Sequence, residues 1–221
     1  MTIHLNNIVR RYETRHGNHT VLDRVCLTVK RGEKLGILGK NGSGKSTLIR
    51  IISGQEYPDS GQIERRMKVS WPLAFSGGFQ SSLTGLDNLR FISRIYDIDH
   101  DAIRSFVEDF AELGKFFREP VKTYSSGMLA RLAFALSLAI EFDCYLIDEI
   151  IAVGDARFHE KCIHELFENR KDRSFLIVSH DAGFIRAHCT HAAVLEGGKL
   201  SRYASVDEAY ENYMNVLNCN A

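Results

Sequence analysis

A loop able to hold phosphate lies at Gly39–Thr47, which reads GKNGSGKST. It fits the pattern G-x-x-x-x-G-K-[ST], with Gly39, Gly44, Lys45 and Ser46 at the fixed places. Gly42 and Gly44 let the backbone turn without a Cβ clash. Several N–H groups along Lys40, Asn41, Gly42, Ser43 and Gly44 can then point into one concavity. An apolar run, Leu35 to Leu38, precedes the loop, and a helical run, Thr47 to Ile52, follows it. The start of that helix adds about half a positive charge at the same place. Lys45 is placed to reach outer phosphates, and the Ser46 hydroxyl to ligate Mg²⁺. The chemistry this predicts is the binding of a nucleoside triphosphate.

Two further stretches should meet that loop. Cys144-Tyr145-Leu146-Ile147 is a short, continuously apolar strand ending in Asp148-Glu149, and Ser174 to Ser179 is another, ending in His180. Such runs suit the middle of a parallel sheet. Ligands of open parallel sheets bind beyond the carboxyl ends of the strands. Gly39, Asp148-Glu149 and His180 each follow such an end, so all should converge on one edge and carry function. Three other features keep two readings each. Tyr12 offers a ring that can stack on a base, or an aromatic on a half-buried strand. Gln80 offers an amide for Mg²⁺ or an attacking water, or is an exposed loop residue. Ser125, Ser126 and Gly127 open a helix whose end is an anion site, or simply capped.

Elements that position these groups are legible in outline. Residues 3–9 and 21–29 read as strands joined by a polar loop with Gly17 and Asn18. Pro58 to Gly61 is a turn, followed by short strands near Gln62–Glu64 and Lys68–Trp71. Ser76 to Gly85 is a connector, and the pattern then turns helical. Thr84 with Asp87 resembles a capping box, and Gly114 suits a C-terminal cap. Ile103, Phe106, Val107 and Phe110 mark one buried face. This insert, residues 84–140, is rich in phenylalanine: Phe91, Phe106, Phe110, Phe116 and Phe117. Most should be core, and some should line a groove for a partner. Leu129, Leu132, Ala133, Leu136 and Ile140 stripe a largely buried helix. Asp155 to Asn169 is amphipathic, a hairpin turns at Gly197-Gly198, and a last helix opens with Ser205 and Glu208.

The totals exclude several classes. The 221 residues suffice for one large domain, with 44% hydrophobic and 25% charged residues. Lys plus Arg equals Asp plus Glu, 28 each, which argues against a nucleic-acid partner. The cysteines at 26, 144, 162, 189 and 219 are scattered without a C-x-x-C pair, as suits a reducing cytosol. The N-terminus has no apolar signal core, and no run of 18 apolar residues exists. The protein is expected not to cross a membrane by itself.

With these pieces in place, the chain resembles the ATP-binding subunits of ABC transporters over nearly its whole length. GKNGSGKST matches the Walker A loop, and CYLIDE the Walker B strand with its catalytic glutamate, here Glu149. Gln80 stands at the Q-loop, YSSGM (Tyr124 to Met128) at the signature, Ala152 to Asp155 at the D-loop and His180 at the switch histidine. The usual Leu-Ser-Gly-Gly-Gln is here Tyr-Ser-Ser-Gly-Met, and the D-loop has Val-Gly in place of Ala-Leu. Stretches such as SWPLAFSGGFQSSLTGLDNLRFISRIYD closely resemble the ATPase subunits of bacterial capsular polysaccharide exporters, with O-antigen and teichoic-acid exporters related. The chain's end at Ala221 argues against the O-antigen type with a carbohydrate-binding extension.

The resemblance implies an α/β fold: a P-loop NTPase core with a mostly parallel sheet, an N-terminal antiparallel β part and a helical subdomain inserted after the Q-loop. It implies one ABC ATPase domain over 1–221. Mg²⁺ would be held by Ser46 with Asp148 behind it, and Gln80 beside it. Glu149 would polarise water, Lys45 stabilise the transferring group and His180 orient water and γ-phosphate. Tyr12, the loop residues 39–47, Gln80 and Asp155 would contact ATP. A second copy would close Ser125, Ser126 and Gly127 over it in a head-to-tail dimer. A separate membrane permease would be the partner, at the cytoplasmic face of the inner membrane, with polysaccharide touched only indirectly. The alternatives are export of another surface glycan and a non-transport ABC ATPase.

Overall fold

The computed structural model describes residues 1–15, 17–73, 77–148 and 155–218. The chain divides into two compact units: Met1–Pro72, Phe142–Glu149 and Arg170–Ala221 form the first, and Leu73–Glu141 with Ile150–Asn169 the second.

In the first unit, β1 (Thr2–Thr14) pairs antiparallel with β2 (Gly17–Lys30) and with β4 (Ser60–Arg65). The hairpin runs well past the expected strand ends, to the pair Thr14↔Gly17. The residues expected as loop therefore stand in register: Tyr12 faces His19 and Glu13 faces Asn18. Directly opposite residues share a face of the ribbon, so the hairpin carries Tyr12 and His19 side by side.

A six-stranded sheet has the order β5-β6-β7-β3-β8-β9 among the described residues. Its strands are β3 (Lys34–Leu38), β5 (Val69–Pro72), β6 (Cys144–Asp148), β7 (Ser174–Ser179), β8 (His191–Glu196) and β9 (Lys199–Tyr203). All neighbours are parallel except β8 and β9, the expected hairpin. Buried strands flanked on both faces need no alternation, which is why β6 and β7 read as apolar runs. Helix α1 (Lys45–Ser53) starts at the phosphate loop and buries Leu48, Ile49, Ile51 and Ile52. These join Ile3, Leu5 and Val29 of the antiparallel sheet and Leu35, Leu146 and Leu176 of the parallel one in a single core.

One ion pair locks the two sheets. Glu33 is only 8% exposed and accepts from the Lys30 N–H at 2.8 Å and from the Arg202 guanidinium. Arg202 also donates to the Thr28 carbonyl at 2.9 Å. Arg202→Ala leaves a buried carboxylate with the Lys30 amide as its hydrogen-bond partner and His191 Nδ1 3.8 Å away, and should cost about 2 kcal/mol. The expected result is a Tm lower by roughly 4–8 °C in a thermal melt. Adding Glu33→Gln should recover part of that loss.

In the second unit, α2 (Gly85–Ile95), α3 (His100–Ala111), α4 (Ser126–Ala139) and α5 (Ala156–Phe167) are helical. Thr84 caps α2, accepting from the Asp87 N–H at 3.0 Å, while Asp87 takes the Thr84 hydroxyl at 2.6 Å. Helix α3 stops before Gly114. Glu112 is the left-handed cap at φ 53, and Gly114 instead begins a 3₁₀ turn. Phe110 is the centre of packing, stacked on Phe106 and Phe134 and edge-on to Phe158. Phe117 is buried as expected, whereas Phe91, Ile95 and Phe116 are exposed.

Two helices of the first unit follow strand ends: α6 (Ala182–His188) after β7 and α7 (Val206–Asn218) after β9. Ser205 caps α7, but Glu208 accepts from Ala204, one residue earlier than a standard box requires. Tyr213 of α7 is buried and Tyr210 and Met214 are half-buried. No helix among the described residues is long and apolar enough to cross a membrane.

Candidate nucleotide site

The sheet register brings the strand ends together. β6, β7 and β3 are adjacent, with Asp148 opposite Val178 and Leu38 opposite Ser179. Asp148, His180 and the loop that starts at Gly39 therefore lie along one carboxyl edge. Glu149 and Ala152 to Gly154 of the expected D-loop lie outside the described residues.

The loop has the shape of an anion cradle. Gly44 is the N-cap of α1 at φ 104, a region an L side chain rarely enters. A Cβ there would also meet Val21 Cγ1 and its carbonyl at 2.9 Å. At Gly39 a Cβ would meet Ser43 Oγ at 2.6 Å and the Leu195 carbonyl at 2.7 Å. The loop is thus wedged tightly against β2 and β8, and its form is held by the fold. Ser43 Oγ is buried and has no hydrogen-bond partner among the described residues.

Lys45 is 5% exposed and folds back over the loop, its Nζ donating to the carbonyls of Gly39 at 2.7 Å and Lys40 at 3.0 Å. Ser46 Oγ donates to Asp148 Oδ1 at 3.3 Å, which places a hydroxyl and a carboxylate, both hard oxygen ligands, side by side. A cavity of about 360 Å³ opens over this loop, lined by His19, Val21, Asn41, Gly42 and Gly44 to Thr47. A triphosphate and its divalent cation match this donor set: amides and a lysine for the anion, oxygens for the cation.

Tyr12 reaches this region from the hairpin. Its hydroxyl lies 3.4 Å from Thr47 Oγ1 and donates to Glu56 Oε1 at 2.5 Å, and the Arg10 guanidinium sits 4.8 Å from its ring centre. His19, its cross-strand partner, lines the cavity. Sequence reasoning placed His19 in a loop, and the only signal that would have found it is the hairpin register.

In the second unit, Gln80 is exposed, and its backbone is held by buried Asn88, which accepts from the Gln80 N–H at 2.9 Å and donates to its carbonyl at 3.2 Å. Ser125 caps α4 by accepting from the Met128 N–H at 3.2 Å, and both serines are exposed. Tyr124 donates to the Phe116 carbonyl at 2.7 Å and abuts Gly85, where a Cβ would come within 2.6 Å of its hydroxyl. The phenol in place of the usual leucine is thus matched to a glycine. Asp155 caps α5 through the Phe158 N–H at 2.9 Å and takes Arg131 of α4 at 2.8 Å. The Phe158 amide first, with Arg131, holds its carboxyl below the usual aspartate range. Arg131 also pairs with Glu112 at 3.2 Å and lies over the Phe158 ring.

This fold and this loop define an ATP-binding cassette. Residues 22–152 match the family described as ABC transporter, and the chain belongs to the ATP-binding proteins of that family. It is 59% identical over 214 residues to the capsule polysaccharide export ATP-binding protein CtrD of Neisseria meningitidis serogroup B, covering 97% of this chain and 99% of that protein. It is 59% identical to the ATP-binding protein BexA of Haemophilus influenzae, covering 96% and 97%. With the polysialic acid transport ATP-binding protein KpsT of Escherichia coli it shares 43% over 221 residues, covering 97% of this chain and 98% of that protein. The fold matches the dimeric, post-hydrolysis structure of the cassette MJ0796 bound to ADP and Pi, with a TM-score of 0.77 over 92% of this chain and 98% of that one, at 22% identity.

Proposed function

We propose that this chain is the ATP-hydrolysing motor subunit of a transporter that exports capsular polysaccharide across the bacterial inner membrane. The observation that carries the export reading is the 59% identity, over nearly the full length of both chains, with a capsule polysaccharide export ATP-binding protein. The motor reading is supported by the shared strand edge with its lysine, hydroxyl and carboxylate.

Lys45 and the amides of Lys40 to Thr47 bind the β- and γ-phosphates. Ser46, with Asp148 behind it, would hold Mg²⁺, which would supply charge neutralisation at the transferring phosphoryl group. Glu149, next in the chain after Asp148, takes the proton of the attacking water. His180 orients that water and the γ-phosphate. Tyr12 stacks on the base. Gln80, Asp155, Gly127 and the exposed Ser125 and Ser126 take the roles that the family gives them, the serines closing over ATP held by a second copy. The helical subdomain at 84–140 exposes Phe91, Ile95 and Phe116, and these apolar side chains dock on a membrane-embedded partner at the cytoplasmic side of the inner membrane.

Affinity purification from detergent-solubilised membranes tests the transport reading. The expected outcome is co-purification with a small polytopic membrane protein, and substitution of Phe91 and Phe116 by serine should release it. Sedimentation with ribosomes from a membrane-free extract would overturn the reading.

A further inference from the structure

Glu56 is a partly sequestered acid, its side chain 15% exposed, set three residues past the end of α1. Its backbone N–H donates to the Arg50 carbonyl at 3.2 Å, so its position is fixed to that helix end. Three donors converge on its carboxylate. Oε1 accepts from the Tyr12 hydroxyl at 2.5 Å and from Arg10 Nε at 2.6 Å, and Oε2 accepts from Arg50 Nε at 2.9 Å. Arg50 Nη2 then donates onward, to Tyr12 Oη at 3.2 Å and to Thr47 Oγ1 at 3.1 Å. The opposite end of the cluster is closed by Asp59, which takes Arg10 Nη1 at 2.7 Å and the Arg11 N–H at 2.5 Å.

The proton directions follow from the donor inventory. A guanidinium only donates. Thr47 Oγ1 is therefore an acceptor toward Arg50, and with the Tyr12 proton given to Glu56 its own proton faces Tyr12 Oη at 3.4 Å. Tyr12 spends its proton on Glu56, so its ring is pinned at the hydroxyl, while Arg10 lies over one face. Thr47 lines the cavity over the phosphate loop, and so does His19, the cross-strand partner of Tyr12. The carboxylate thus reaches this cavity at one remove on two sides: its partner Arg50 donates to Thr47, and its partner Tyr12 stands opposite His19.

We infer that Glu56 is a positioning residue for the nucleotide: through Arg50 and Tyr12 it holds Thr47 and the Tyr12–His19 end of the hairpin around the ATP cavity. It touches neither the reacting atoms nor, in this arrangement, the phosphates. Its loss should weaken binding of ATP while leaving the bond-breaking step nearly intact. The inference rests on the nucleotide site proposed above, but not on what is exported. Burial raises the Glu56 pKa and the hydrogen bonds from Tyr12, Arg50 and Arg10 more than offset this, so the acid is held charged.

The test measures equilibrium binding of ATP by calorimetry, together with steady-state turnover in Mg-ATP, on the full chain. Glu56→Ala should raise both Kd and KM by about 5–20-fold, because ATP binding must then also order the freed Tyr12 and Arg50 side chains, with kcat within about 2-fold of wild type. Glu56→Gln keeps one oxygen for Tyr12 but loses the arm to Arg50, and should fall between. Tyr12→Phe removes only the phenol and should raise Kd by about 3-fold. If Glu56→Ala lowers Tm while Kd and KM stay within 2-fold, the cluster is only a structural clamp and the inference fails. Should Glu56→Ala not fold, unchanged Kd in both Glu56→Gln and Tyr12→Phe overturns it equally. A wild type that binds ATP but never hydrolyses it would defeat the motor reading, and the Kd series would still decide the role of Glu56.

Discussion

Glu149→Gln is expected to lower ATP turnover of the purified protein by roughly 10²–10⁴-fold, the usual worth of a positioned general base. The amide keeps the size and hydrogen-bonding reach of the carboxylate but cannot accept the proton of the attacking water. Its neighbour Asp148 ends β6 beside Val178 of β7, and Ser46 of the phosphate loop donates to it at 3.3 Å. Glu149 thus follows directly on a residue already joined to the loop. Binding should survive, because Lys45, the loop amides and the Ser46–Asp148 pair are untouched. ATP held without being hydrolysed should hold the second copy as well. Size-exclusion chromatography in Mg-ATP should then show a dimer for Glu149→Gln and chiefly monomer for wild type. A mutant with full turnover and no ATP-dependent dimer would remove Glu149 from the role of base. It would also remove Ser125 to Gly127 from the partner's nucleotide, and Tyr124 to Met128, where this signature departs from the usual one, would be the first place to look.

The parts of this site that were legible in sequence are those fixed by local chain. The run CYLI before Asp148 and SFLIVS before His180 could only be buried parallel strands, and their carboxyl ends follow from the fold class. The loop at Gly39–Thr47 carries its own geometry in its glycines. Tertiary partners were not legible. Arg10 and Glu56 are 46 residues apart, Tyr12 and Glu56 are 44, and Arg131 and Asp155 are 24, with no periodic pattern to link them. The hairpin was read short because its far half is polar on both faces, so alternation fades where the backbone pairing continues. The end of α3 was misplaced for a related reason. Glycine is the usual left-handed cap, but Glu112 takes that conformation and is held there by Lys161 at 2.8 Å and Arg131 at 3.2 Å.

Lys45→Ala should cost on the same scale as loss of the base, because it removes a cation that faces ATP both before and during reaction. Preorganised cations aimed at a transferring phosphoryl group act in a site that excludes water, where one donor is worth about 10²–10³ in kcat. The lysine is 5% exposed, and its Nζ is already gathered over the loop by two carbonyls, at 2.7 and 3.0 Å. These contacts hold the cation within the cradle, so little reorganisation is needed when phosphate displaces a carbonyl. They also tie the loop's first residues to its last turn. Alanine loses both effects, and kcat/KM should fall by about 10³-fold or more, with ATP binding weakened in calorimetry. Arginine should not rescue it. Its planar fork presents five donors in fixed geometry, and the space between the Gly39 and Lys40 carbonyls suits a compact ammonium that can turn toward a phosphate. Rescue by Lys45→Arg to near wild-type kcat/KM would mean that positive charge alone suffices, and that the fit of the ammonium within the loop contributes nothing.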